Sequence, residues 1–380
     1  MNDYSIYVHF PFCKSRCVYC DFVSNVVSPL PVAEVTSQLK RELMLRRQWI
    51  GMQRPPVSIY FGGGTPSLWS MEAMAKVLEA CGPTEGDIEI TVEMNPQDVS
   101  SQWVGAALDA GINRFSLGVQ SMNDSRLQWL GRRHSVMDVQ RAMEVLRECG
   151  ATNVSVDFIY ATPGLDDAAM RLELLALCDL TVEHVSAYEL TIADGTPLSR
   201  MDLNEVPGEH RATMWHSIGE ILHRYGLERY EVSNYAKSGR RSVHNCHYWK
   251  GGVYLGIGSG AHGFVKMNDV RVRYSNGGTL GTWRDVQLTI DALNRDIAIG
   301  DGFFEQISDL DFARELMMLG LRCTDGVNLL ALQPLIENND DFKKTLAQLL
   351  NDGWLTRCGA RVVPGEEAML LADELALRFF

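Results

Sequence analysis

The chain has 380 residues, 46% of them hydrophobic, and a formal net charge of −13. That length admits one large domain or two ordinary ones, with a sizeable core. The acidic balance excludes the basic stripe of a nucleic-acid binder, weighs against an anionic membrane surface, and no apolar run reaches the roughly 20 residues that a bilayer span needs. The start carries no basic stretch followed by a cleavable apolar one, so no signal peptide is expected.

Strand-like runs and helical patterns alternate over the first two thirds. Strands are read at 5–10, 57–61, 88–93, 114–119, 153–159 and 184–190. Helices are read at 32–49, 71–80, 104–110, 136–149 and 168–177. The strands are apolar on both faces, as in a parallel sheet covered by helices. Six such units predict an α/β fold, a parallel sheet curling into a partial (β/α)6 barrel. After Leu190 the pattern changes to a Pro/Gly-bearing stretch, a helical run at 211–225, a strand-like 228–232 and a glycine-rich block at 251–263. The runs 311–322 and 342–351, followed by a hairpin-like pair at 353–356 and 361–364, predict a small, mainly helical, winged-helix-like C-terminal domain. The expected divisions are a barrel over 1–235, a connecting segment over 236–300 and the C-terminal domain over 301–380.

Cys13, Cys17 and Cys20 follow the first strand in the spacing C-x-x-x-C-x-x-C. An iron–sulfur cube takes four thiolates, so three on one loop leave one iron open to a ligand that is not protein. Zinc is the alternative, with His9 the nearby candidate to close a fourth position. The other six cysteines are scattered and suggest no disulfide framework; a reducing cytoplasm fits both sets. Gly62, Gly63, Gly64 and Thr65 follow the second strand, where glycines let backbone approach a ligand closely. Glu93 ends the third strand, Gln120 follows the fourth and Asp157 lies late in the fifth. In a barrel of parallel strands these positions converge on one rim, where active sites gather.

The segment 7–22, YVHFPFCKSRCVYCDF, resembles the opening of the radical S-adenosylmethionine (SAM) superfamily. More narrowly it resembles the branch of HemN, the oxygen-independent coproporphyrinogen III dehydrogenases, and HemW, the haem chaperones. The likeness reaches the C-terminal region through 315–322 (ELMMLGLR) and 353–355 (GWL). It implies a radical-SAM barrel in which Cys13, Cys17 and Cys20 hold a [4Fe-4S] cluster. The open iron chelates the amino and carboxylate groups of SAM. By the same resemblance Tyr7, Gly62, Gly63, Gly64, Thr65 and Glu93 contact that SAM, and Tyr19 lies near its adenine. Gln120, Arg132 and Asp157 match positions that bind a second SAM. After Asp157 the run F-I-Y-A-T-P-G-L departs from the branch's pattern: Ala161 stands for a glycine, Thr162 for a leucine and Leu165 for a glutamine. The loop beyond the fifth strand is therefore expected to be reshaped.

Two features bear on activity within the branch. The dehydrogenases carry a further cysteine two residues after the third; here that position is Phe22. The run His244-Asn245-Cys246-His247-Tyr248-Trp249 resembles the H-N-x-x-Y-W motif of the chaperone branch, which implies haem held by His244, with Cys246 and His247 as alternative ligands. The expected function is haem binding and delivery to apo-haemoproteins, membrane-associated acceptors included. Coproporphyrinogen dehydrogenation and a methyl transfer using two SAM molecules are the alternatives, and no catalytic residue is assigned. An electron donor such as a flavodoxin or ferredoxin and a homodimer are further expectations of the resemblance.

Overall fold

The computed structural model describes residues 3–51, 54–82, 86–204, 206–267, 269–284, 289–290, 293 and 299–380. Six strands run parallel in sequence order: β1 (Tyr4–Phe10), β2 (Ser58–Gly63), β3 (Glu89–Met94), β4 (Arg114–Gln120), β5 (Val154–Tyr160) and β6 (His184–Glu189). The connecting helices are α1 (Val32–Ile50), α2 (Met71–Ala80), α3 (Ser101–Asp109), α4 (Asp124–Trp129), α5 (Val136–Glu148) and α6 (Asp167–Cys178). Parallel neighbours need crossovers of this kind, and the helices cover the outer face of the sheet. Local sequence sets their starts. Ser70 and Asp166 cap α2 and α6 by accepting from Ala73 N and Ala169 N, and Ser135 with Asp138 closes a capping box on α5. Gly51 ends α1 in the left-handed conformation that glycine adopts without steric cost.

The segment expected as a connection does more than connect. After α7 (Gly208–Arg224), the short strands β7 (Glu228–Arg229) and β8 (Asn234–Ala236) close one edge of the sheet against β6. Then comes α8 (Val243–Trp249). Strand β9 (Val253–Ile257) enters the sheet parallel to β1, and β10 (His262–Met267), β11 (Val270–Ser275) and β12 (Phe303–Ile307) extend it antiparallel beyond. Glycines on either side of β9 mask its strand character in the sequence. Positions 268, 285–288, 291–292 and 294–298 of this segment lie outside the described residues.

A buried ion pair ties α1 to this extension. Glu42 and Arg46 are both fully buried and 2.9 Å apart. The Glu42 carboxylate also accepts from Asn276 Nδ2, Gly258 N and Trp283 Nε1. Trp283 lies on α9 (Leu280–Arg284). The C-terminal region contains α10 (Asp309–Leu321), α11 (Leu329–Leu332) and α12 (Asp340–Asn351). A three-stranded sheet of β13 (Val327–Asn328), β14 (Leu355–Cys358) and β15 (Arg361–Pro364) completes it. It has its own apolar core, built on Met317, Leu332, Leu349 and Val362. Hydrogen bonds from Val232 N to Arg322 O and from Thr324 N to Tyr230 O join it to the barrel.

Candidate cofactor site

The loop after β1 folds back on itself: Cys13 N donates to Asn25 O and Asn25 N to Pro11 O. Cys13, Cys17 and Cys20 are free, half-buried, and line one cavity of about 390 Å³ at the C-terminal ends of the strands. Two neighbours point at the sulfurs. Thr65 Oγ1 lies 3.5 Å from Cys13 Sγ, and Arg132 Nη1 lies 3.5 Å from Cys17 Sγ. Burial pushes the Cys13 thiol up and the Cys20 thiol up to about 11. Such thiols lose their protons to a bound metal rather than to water. Their soft donor set and the guanidinium beside Cys17 fit an iron–sulfur centre. His9 does not complete a zinc site, because its Nδ1 bonds the Tyr7 hydroxyl (3.0 Å) and its Nε2 bonds Val23 O (2.7 Å).

The glycine triplet is required by closeness. A Cβ on Gly63 would stand 2.4 Å from the His9 ring, and one on Gly64 would stand 2.4 Å from the Phe12 carbonyl oxygen. Gly63 also takes φ +107°, so the turn suits glycine alone. Its N–H donates to Glu93 Oε2 (3.1 Å), while the Tyr60 hydroxyl donates to Oε1 (2.8 Å). Burial, then the neighbouring Asp157, raises the Glu93 carboxyl to about 7. Burial raises Asp157 to about 6. Two carboxyls held above their ordinary range on one wall suit a cation, such as an ammonium group.

Gly63, Gly64, Thr65, Glu93, Gln120, Arg132, Asp157 and Tyr19 line the same cavity as the three cysteines. Gln120 takes φ +69°, at an irregularity in the β4–β5 pairing. Arg132 is committed: its Nη2 donates to Asn95 Oδ1 (2.5 Å) and to Gly118 O (2.8 Å). Tyr7 and Gly62 sit behind the lining, Tyr7 stacked on Tyr60 with ring centroids 6.1 Å apart. Asn95 and Tyr188 are lining residues that the sequence reading did not single out. Their signal is position, since Asn95 follows β3 and Tyr188 lies near the end of β6. The departure after Asp157 keeps a glycine-like path: Ala161 holds φ +56°, and the Thr162 hydroxyl accepts from Arg126 Nη1 (2.9 Å).

His244 lies elsewhere. The Glu89 carboxylate accepts from Ser242 Oγ, Val243 N and His244 N, fixing the start of α8 so that the imidazole enters the barrel floor. Its Nδ1 bonds Ser58 Oγ (2.9 Å) and its Nε2 bonds the Tyr248 hydroxyl (2.8 Å). Burial holds it neutral, near pKa 3. Both ring nitrogens are bonded and the side chain is buried, so in this arrangement neither nitrogen faces an open site. Among the alternatives, His247 Nε2 bonds Val253 O (2.8 Å), and burial pushes the Cys246 thiol up to about 11.

A parallel barrel with free thiols on its first loop and a glycine turn on its second describes a protein that holds a metal cofactor at its strand ends. Residues 7–177 match the family described as the Radical SAM superfamily, and residues 307–371 match the HemN C-terminal domain. The chain belongs to the radical SAM superfamily, in its HemN/HemW branch. It is 30% identical to the heme chaperone HemW of Bacillus subtilis over 98% of this chain and 97% of that protein. It is 34% identical to the mitochondrial radical S-adenosyl methionine domain-containing protein 1 of Bos taurus, over 85% of this chain and 74% of that one. The solved structure of Escherichia coli coproporphyrinogen III oxidase HemN aligns with a TM-score of 0.77 at 18% identity, covering 100% of this chain and 90% of that one. That likeness concerns the fold. Membership in the superfamily implies a [4Fe-4S] cluster and SAM. Among the described residues no helix is long and apolar enough to cross a membrane.

Proposed function

We propose that this protein binds haem and passes it to apo-haemoproteins, with a [4Fe-4S] cluster on Cys13, Cys17 and Cys20 and SAM in the adjoining cavity. The near full-length match to a protein named as a heme chaperone carries this reading. Phe22, where the dehydrogenases have a cysteine, supports it. When bound, the cluster with SAM supplies one-electron chemistry at a sulfonium carbon–sulfur bond. The chain's own part is to hold and orient. Thr65 and Arg132 stabilise thiolates at Cys13 and Cys17. Glu93, fixed by Tyr60 and Gly63, receives the nucleotide's ammonium, and Asp157 receives ribose hydroxyls. Gln120 and Arg132 stand where a second nucleotide would sit, although the existing bonds of Arg132 favour service to the cluster loop. Anaerobic reconstitution followed by incubation with haem or coproporphyrinogen III tests the proposal. Haem retained and handed to an apo-haemoprotein, with no decarboxylated product, is expected; decarboxylation would establish the dehydrogenase instead, and a methylated acceptor the transferase.

A further inference from the structure

Resting on the haem-binding reading, we infer that the macrocycle sits in a second cavity, between α8 and α10, with Met318 as the axial donor to its iron. This cavity of about 560 Å³ lies where the C-terminal domain meets the barrel, and its size suits a drug-sized or larger flat ligand. Its walls are aromatic. Trp249 and Tyr254 line the barrel side, and Phe264 on β10 stacks on Phe312 of α10 with centroids 5.5 Å apart and planes 18° from parallel. A conjugated macrocycle presents two broad faces to such rings.

The polar lining carries both charges, Glu231 and Glu315 beside Arg273 and Arg322. Arg273 is held by Glu305 (2.9 Å) and Glu315 (2.6 Å), so Arg322 is the guanidinium offered to a carboxylate side arm. The partner of Arg322, Asp373, is largely exposed, so that pair is weak and easily exchanged for a ligand carboxylate. Trp249 Nε1 is buried with no hydrogen-bond partner, leaving a donor available next to the same wall. Among the described residues lining this cavity there is no histidine or cysteine. The Tyr248 hydroxyl is taken by His244. Met318 supplies the one sulfur, and a thioether lone pair binds haem iron without losing a proton. The H-N-x-x-Y-W helix thus contributes its tryptophan to the wall and its histidine to the anchoring of that wall. The HemN C-terminal domain supplies the opposite side and the ligand.

The full-length, cluster-loaded protein is titrated anaerobically with ferric haem and followed by Soret absorbance and near-infrared magnetic circular dichroism. The parent is expected to show the charge-transfer band of thioether-ligated ferric haem. Met318→Leu, close in shape, should lose that band and bind on the order of tenfold more weakly. Leu319→Trp, which fills the cavity, should abolish binding. Cluster absorbance and thermal melting report that each variant is folded. A band that persists in Met318→Leu overturns the ligand; unchanged affinity in Leu319→Trp overturns the seat, with haem binding itself intact. A parent that binds no haem would sink the underlying reading as well.

Discussion

Single residues around the cysteine cavity carry unusual backbone angles and a carboxyl raised by burial. Gly63→Ala would drive a methyl group into His9 at a backbone angle that alanine resists. We expect a folded protein with sharply reduced iron content, measured by metal analysis and visible absorbance. Glu93, raised from 4.5 to about 7, binds its proton more tightly folded than unfolded. Its contribution is therefore fully present below about pH 4.5 and lost as pH rises through 7, on the order of 3 kcal/mol at full loss. Buried neutral histidines such as His134 and His244 act in the opposite sense up to pH 6.5, so the effect is read as a difference between two proteins. In the cluster-free, nucleotide-free state the parent should lose stability relative to Glu93→Gln from pH 5.5 to pH 8; a difference that stays constant over that range would remove Glu93 as a source. Ala161 presents the opposite case, a left-handed backbone without the glycine that relatives have. Ala161→Gly should raise stability by up to about 1 kcal/mol, read from thermal melting, since relief of the αL penalty exceeds the entropy that glycine loses.

Elements were legible where their pattern is local. The six strands and five of the six connecting helices of the barrel show in periodicity, the short α4 being the exception, and the strand-end rule puts Glu93, Gln120 and Asp157 on the rim where they line the cysteine cavity. What the sequence hid is non-local. Strand β9 is a short run beside glycines, and its pairing with β1 joins positions nearly 250 apart. Asn95 matters because it bridges Thr65 and Arg132, which no spacing announces. The H-N-x-x-Y-W motif falls on one helix, α8, but the side chain that enters the core is set by Glu89, far upstream. The Glu42–Arg46 pair tests the same point. Glu42→Ala removes the counter-charge of a buried guanidinium and the acceptor of Gly258 N and Trp283 Nε1, and should cost about 3–5 kcal/mol by urea denaturation. A cost below 1 kcal/mol would mean that α1 does not depend on this anchor.

At the scale of the whole molecule, the two cavities are distinct but adjacent. Tyr188, near the end of β6, lines both. One is built from the barrel's strand ends and the loops that follow them; the other needs the C-terminal domain for its second wall. The domain keeps its own core and is joined to the barrel by backbone bonds at Val232 and Thr324. Occupancy of the two sites should therefore separate. Cys17→Ala removes one of three thiolates and should eliminate the cluster's visible absorbance, yet leave ferric haem affinity near that of the parent protein. Haem titration of this variant, with iron and labile sulfide quantified on the same sample, measures both. Loss of haem binding along with the cluster would place the two groups in one cavity. The Tyr188 wall would then be an internal feature of a single site rather than the boundary between a radical-generating centre and a haem seat.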